Sequence, residues 1–172
     1  MASRQAARSK NKGAQSQQKT RKPFRVYHHK RRRYVRLDVD SPIQFKQFDP
    51  YKPDTSMDEK QLSDGRILNI SGGGVLIESD FPVSEEDFVM MKFTLCQTET
   101  LSGIIGKVKR VDDEDAEEKP LVGIEFMTVE QLRAELPDDA IKALGDNAFS
   151  FDEQIRKMLL KHVFAQKLRE SK

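Results

Sequence analysis

The sequence predicts a mainly β protein, a small six-stranded antiparallel barrel or sandwich, followed by a helical C-terminal extension. Within about ninety residues it holds six short segments rich in β-branched residues, joined by Gly, Pro, Asp and Ser connections. After Phe126 the apolar spacing changes from every second residue to helical spacing. We therefore divide the chain into a basic arm at 1–29, a β domain at 30–127 and a helical extension at 128–172.

Charge separates the arm from the body. Residues 1–36 carry thirteen Lys and Arg and no Asp or Glu, which leaves seventeen cations against twenty-eight acids and a net charge of −11 in the remainder. An acidic body disfavours non-specific duplex binding. The arm has almost nothing to bury, so it is predicted to be largely disordered, and nucleic-acid binding through it is an alternative function.

The strands are predicted from the alternation of apolar and polar residues and from the turn-forming residues between the segments. Residues 37–48 read as a strand broken near Ser41-Pro42, and a loop with Pro50 and Pro53 follows. The other predicted strands are 65–70, 74–78, 88–95, 101–111 and 121–126. Thr128 is placed to cap a short helix that Pro137 either ends or kinks, and helical sequence continues over 138–144. A further helix, 151–171, has one apolar side that either packs on its own domain or forms a dimer seam.

Several classes of chemistry are excluded. The single Cys96 rules out an internal disulfide and a cysteine-rich zinc site, and its apolar surroundings indicate a buried thiol. No nucleophile elbow and no metal-ligand spacing is present, so no enzyme and no metal are predicted. No window approaches eighteen apolar residues and the N-terminus lacks the apolar stretch of a secretory signal, which predicts a soluble, cytoplasmic protein.

Two polar stretches stand out against this background. Lys30-Arg31-Arg32-Arg33-Tyr34-Val35-Arg36 places five cations in seven residues where the arm meets the first strand. About thirty residues later, Asn69-Ile70-Ser71-Gly72-Gly73-Gly74 lies between two strands. Its glycines are expected to permit positive φ and close approach of a ligand, although a plain tight hairpin would explain them equally well. A phosphate-binding P-loop fits poorly, because no Gly-Lys-Ser/Thr follows.

Taken together, these stretches resemble the PilZ domain family, whose paired signature is R-x-x-x-R followed by D/N-x-S-x-x-G. Arg32-x-x-x-Arg36 and Asn69-x-Ser71-x-x-Gly74 match both halves without substitution, and the resemblance covers residues 30–127. It implies a six-stranded antiparallel barrel that binds the bacterial second messenger cyclic di-GMP. No other cofactor is implied.

The resemblance also implies roles for individual residues. Arg32 and Arg36 are expected to hold the phosphates and guanine edges, while Asn69, Ser71, Gly73 and Gly74 form the guanine-binding surface. In relatives, an Arg at the position of Arg31 accompanies an intercalated ligand dimer, so the resemblance implies two ligands per protomer. The function implied is a sensor, monomeric or homodimeric, that changes shape on binding and regulates motility, biofilm or exopolysaccharide output through an unidentified protein partner.

Overall fold

The computed structural model describes residues 34–95, 99–113 and 119–170. Six strands, all antiparallel, form a closed barrel in the order β1-β2-β3-β6-β5-β4, with β4 returning to β1. The predicted six-stranded fold with C-terminal helices is thereby confirmed, and closure decides between barrel and sandwich. The strands are β1 (Arg36–Gln47), β2 (Ser63–Ser71), β3 (Gly74–Glu78), β4 (Phe88–Leu95), β5 (Glu99–Asp112) and β6 (Leu121–Phe126).

The first strand is continuous, so the predicted break near Ser41-Pro42 is wrong. A register shift between Asp38 and Ser41 in the pairing with β2 absorbs the irregularity as a β-bulge. On the other side, pairing with β4 begins only at Ile43, one residue after Pro42. Pro42 therefore lies beyond the end of that ladder, where its missing N–H costs no hydrogen bond with β4.

The barrel interior is filled by side chains from all six strands, among them the fully buried Phe45, Ile67 and Ile77. Aromatic rings extend the cluster to one side, since Phe126 lies 5.4 Å from Phe151 in an edge-to-face arrangement. Such a core lies on the inner face of every strand and leaves the outer face for other contacts.

Three helices follow the barrel: α1 (Val129–Glu135), α2 (Asp138–Ala143) and α3 (Asp146–Glu170); a single 3₁₀ turn spans Glu59–Gln61 between β1 and β2. Thr128 caps α1 in a reciprocal capping box with Gln131, as predicted. The third helix begins at Asp146, five residues before the predicted start. Its buried residues Phe151, Ile155 and Met158 pack into the barrel core, which confirms packing on its own domain.

The helices α1 and α2 pack against a second apolar cluster on the outside of the barrel. Leu132 of α1 is fully buried there, and Met90 of β4 and Ile105 of β5 supply the barrel side of the contact. Lys107 strengthens this contact, because its Nζ lies 2.6 Å from Glu135 of α1. The hydrogen bonds that Lys107 donates to Glu135 and then to Glu86 raise the pKa of Lys107 above its ordinary value.

One ion pair outside the helices, between Lys46 of β1 and Asp54, is expected to make the stability of the fold depend on pH. The Lys46 Nζ lies 2.8 Å from Asp54 Oδ2, and the Lys46 side chain is only 10 % exposed. The hydrogen bond from Lys46, and next the one from the Ser56 N–H, lowers the pKa of Asp54 to about 2. Because the folded state lowers this pKa, the charged carboxylate stabilises the fold above about pH 4, and that contribution disappears as the pH falls towards 2.

We therefore expect Asp54→Asn to lower the urea midpoint at pH 6 and to match the unmodified protein increasingly well between pH 4 and pH 2. Urea unfolding followed by circular dichroism across this range measures the difference in midpoint. The effects of the other carboxylates on stability cancel in this difference, because both proteins contain them. A difference that stays constant down to pH 2 would show that the ion pair contributes nothing to stability.

Candidate functional site

The register of β1 against β2 brings the two polar stretches together. Arg36 is paired with Ser71, and two residues further along Asp38 is paired with Asn69. Between these pairs, Leu37 and Ile70 are buried in the barrel core. Side chains alternate between the faces of a strand, so Arg36, Ser71 and Asn69 share the outer face. Residues about thirty apart in the sequence thus become neighbours on the barrel surface.

The second stretch forms a hairpin with the two-residue turn Gly72-Gly73, closed by the pair Ser71 and Gly74. Ser71 Oγ donates a hydrogen bond to the Gly74 carbonyl and accepts one from the Gly73 N–H, both at 3.3 Å. The residue is only 7 % exposed. Ser71 therefore holds the hairpin, and its hydroxyl keeps one further lone pair that can accept from a ligand.

The expectation of positive φ at these glycines is wrong. Within the described part of the chain, positive φ occurs only at Glu86 and Gly103. Close approach is what the hairpin requires: a Cβ on Gly74 would lie 2.3 Å from the carbonyl oxygen of Ile124 in β6. A Cβ on Gly73 would lie 2.8 Å from the Tyr34 ring. The bare backbone is needed for strand contact at Gly74 and for ring contact at Gly73.

A pocket of about 500 Å³ lies over this hairpin on the outside of the barrel. All the predicted site residues within the described ranges line it: Arg36, Asn69, Ser71, Gly73 and Gly74. Arg31 and Arg32 lie outside the described residues. The opposite wall comes from β5 and β6 and had not been predicted; it contains Lys109, Arg110, Gly123, Ile124 and Glu125.

Two features of this wall leave a signal in the sequence. Arg110 directly follows Lys109 and so breaks the alternation of Lys107, Val108 and Lys109; it falls where alternation after the buried Val108 would place an inward side chain. A charged residue at an inward position indicates a bulge. Tyr34, between the motif arginines, carries no such signal, because its contact with the hairpin exists only in the folded chain.

Positive charge predominates in the pocket. Among the described residues that line it, the cations are Arg36, Lys109 and Arg110, and Glu125 is the carboxylate. Lys109 Nζ lies 3.3 Å from Glu86 and 3.8 Å from Glu125, so its charge is partly compensated. Hydrogen bonds from Lys107 and then Lys109 lower the pKa of Glu86. A positive pocket on a body of net charge −11 attracts an anionic ligand to this position.

These observations define a small closed β-barrel domain with a cationic binding pocket on its outer face, formed around the β2–β3 hairpin. The family model described as PilZ domain matches residues 30–137, and the chain belongs to the PilZ family. The match extends beyond Phe126 and includes α1, in agreement with the burial of Leu132 against the barrel.

Solved structures with a similar fold include the inhibitor of motility MotI/DgrA of Bacillus subtilis, at 18% identity and a TM-score of 0.45, over 76% of this chain and 53% of that one. The PilZ domain of YcgR from Escherichia coli with c-di-GMP matches at 15% identity and a TM-score of 0.42, over 74% of this chain and 95% of that one. A YcgR complex with c-di-GMP from the same organism matches at 15% identity and a TM-score of 0.41, over 76% and 50%. The chain thus spans about half the length of MotI. A comparison with curated proteins found no match.

Two further findings concern other kinds of site. In residues 34–95, 99–113 and 119–170, no three His, Cys, Asp or Glu side chains are grouped in a way that would hold a metal ion. Over the same residues, every helix is too short or too polar to cross a membrane.

Proposed function

We propose that this protein is a receptor for cyclic di-GMP and that it acts in the cytoplasm as a sensor without enzymatic activity. The observation that supports this most strongly is the β1–β2 register, which places Arg36 of the first motif directly opposite Ser71 of the second at one cationic pocket. In a PilZ domain, Arg36 of the first motif and Asn69, Ser71 and Gly74 of the second lining one pocket support the binding of a cyclic dinucleotide, which carries two phosphates and two bases.

The roles proposed for the site residues follow from their chemistry. Arg36 and Arg32 bind the phosphates and guanine edges, because a guanidinium offers a planar fork of donors that matches phosphate oxygens and the O6 and N7 atoms of guanine. Asn69 and Ser71 bind a guanine edge, and Gly73 and Gly74 let the base approach the backbone closely.

Binding is proposed to order the segment that enters the barrel. Residues 30–36 contain five cations that repel one another, and a dianionic ligand removes that repulsion. Arg31 is proposed to contact a second ligand molecule, which gives two ligands per protomer. The rearranged surface, with the basic arm at 1–29, the barrel at 30–127 and the helical extension at 128–172, is then read by a protein partner that controls motility, biofilm formation or exopolysaccharide output.

The experiment is titration calorimetry with cyclic di-GMP at physiological salt, comparing the unmodified protein with Ser71→Ala and Ser79→Ala. Ser79 is a matched control: its Oγ also accepts from the N–H two residues later, of Phe81, and donates to a backbone carbonyl, of Asp64. Ser79 does not line the pocket. We expect saturable micromolar or tighter binding, weakened about tenfold by Ser71→Ala and unchanged by Ser79→Ala, since one hydrogen bond contributes on the order of 1 kcal/mol.

Absence of binding by the unmodified protein would overturn the proposal. Equal affinities for the two serine variants would instead remove Ser71 from the ligand site. The stoichiometry of the same titration tests the second ligand that Arg31 is proposed to contact.

The thirteen cations of residues 1–36 support one alternative, nucleic-acid binding through the arm. Such binding falls steeply with salt because it depends on counterion release, and it does not require Ser71. Binding of a duplex of arbitrary sequence that is strong at 50 mM salt, weak at 200 mM and unaffected by Ser71→Ala would favour this alternative.

A further inference from the structure

The pocket extends well beyond the residues of the paired motif. On the outer face of the barrel, Asn69 is paired with Leu76, Leu76 with Gly123, and Gly123 with Arg110, in one row across β2, β3, β6 and β5. Three strand spacings of about 4.8 Å separate the ends of this row by about 14 Å. The backbone positions at the two ends of this row are farther apart than a guanine is long, so the far end of the pocket is available to another part of a ligand.

A bulge in β5 directs Arg110 into this pocket. The pairing of β5 with β6 shifts register between Val108 and Arg110, which leaves Lys109 as the extra residue. Val108 is fully buried, so regular alternation would turn Arg110 towards the apolar core. The bulge instead exposes both cations, whose side chains are 45% and 52% accessible. Bulges commonly redirect a side chain beside a binding site.

Gly123 and Asp112 determine the position of the Arg110 side chain. A Cβ on Gly123 would lie 2.8 Å from Arg110 Cγ and 3.0 Å from Nε, so the side chain lies flat across the bare backbone of β6. Arg110 Nη1 is 3.5 Å from Asp112 Oδ2, which restrains the guanidinium from one side. A guanidinium has five N–H donors, and this contact leaves most of them for a ligand.

We propose that Arg110 is a ligand-binding residue outside the paired motif and that it binds the guanine edge of the nucleotide farthest from Asn69. The proposal rests on the function proposed above. Arg36 and Asn69 lie towards the other end of the pocket, on β1 and β2, and a cyclic dinucleotide has a second base that would extend beyond them. An Arg fork pairs with both O6 and N7 of guanine, which is the commonest specific contact to that base. Lys109 is the weaker candidate, because Glu86 and Glu125 already engage it.

The test compares Arg110→Ala, Arg110→Lys and Lys119→Ala by titration calorimetry with cyclic di-GMP. Lys119 is a matched control, since it is also a half-exposed cation paired with an aspartate, Asp80, and lies outside the pocket. We expect Arg110→Ala to weaken binding about ten- to a hundredfold. Arg110→Lys is expected to lose at least tenfold, because an ammonium cannot reproduce the two parallel bonds of the fork. Lys119→Ala is expected to bind within twofold of the unmodified protein.

Three results would overturn the proposal, each in a different way. Unmodified affinity in Arg110→Ala would exclude Arg110 as a binding residue, while the expected tenfold weakening in Ser71→Ala would leave the proposed function standing. If Arg110→Ala binds weakly but the affinity of Arg110→Lys is within threefold of that of the unmodified protein, the contact needs only a positive charge. That result would indicate a phosphate contact instead of a guanine contact. No binding by the unmodified protein would refute the proposed function itself, and this inference with it.

Discussion

Replacing both Arg32 and Arg36 by alanine is expected to abolish cyclic di-GMP binding. Each charge-assisted contact contributes on the order of 1.5 to 3 kcal/mol, so two such losses weaken binding by about a hundredfold to ten thousandfold. Arg36 opens β1 directly opposite Ser71 of the hairpin, so its loss removes a cation from the pocket. The unmodified protein and the double variant are compared by titration calorimetry at physiological salt.

The control for this experiment removes two other exposed arginines, Arg133 of α1 and Arg156 of α3, which lie outside the pocket. It lowers the net charge by the same amount, so any general electrostatic effect appears in both double variants. We expect the control to bind within about twofold of the unmodified protein. Binding by the Arg32 and Arg36 double variant within tenfold of the unmodified protein would contradict the assignment of the phosphates to these residues.

Gly74→Ala is expected to destabilise the barrel more than any other single change at the pocket. The added Cβ would lie 2.3 Å from the Ile124 carbonyl oxygen and 3.2 Å from the Glu125 Cα. These are backbone atoms of a paired strand, so no side-chain rotation relieves the overlap and β6 must move away from β3. Overpacking costs about 1 to 3 kcal/mol and occasionally more, and we expect the upper end here.

For a chain of this length, about 3 kcal/mol corresponds to a melting temperature about 6 to 12 °C lower. Thermal unfolding followed by circular dichroism measures the effect. Gly145→Ala is the matched control, because nothing lies within 4 Å of a Cβ at that position. A Gly74→Ala protein that melts together with Gly145→Ala would show that β3 and β6 separate without cost.

Most of the predicted strands agree with the structure because the signals that define them are local. The predicted bounds of β3, β4 and β6 are exact, since each is a short apolar segment that begins directly after a Gly, Asp or Pro. The errors occur where contacts with residues distant in the sequence determine the local structure. Pro42 reads as a break, but β1 continues through it because the adjacent ladder ends there. The predicted start of α3 is five residues late, because Ala148 is buried through its packing in the second apolar cluster, and this contact exists only in the folded chain.

The sequence by itself determined the family, the two halves of its paired motif and the order of strands and helices along the chain. These follow from residue identity, spacing and period, which are properties of the chain alone. Only the tertiary structure decided that the barrel closes, that Arg36 lies opposite Ser71, and that Gly74 is needed for contact with Ile124. It also decided that Arg110 enters the pocket, because a bulge changes the face of a strand only relative to its partner.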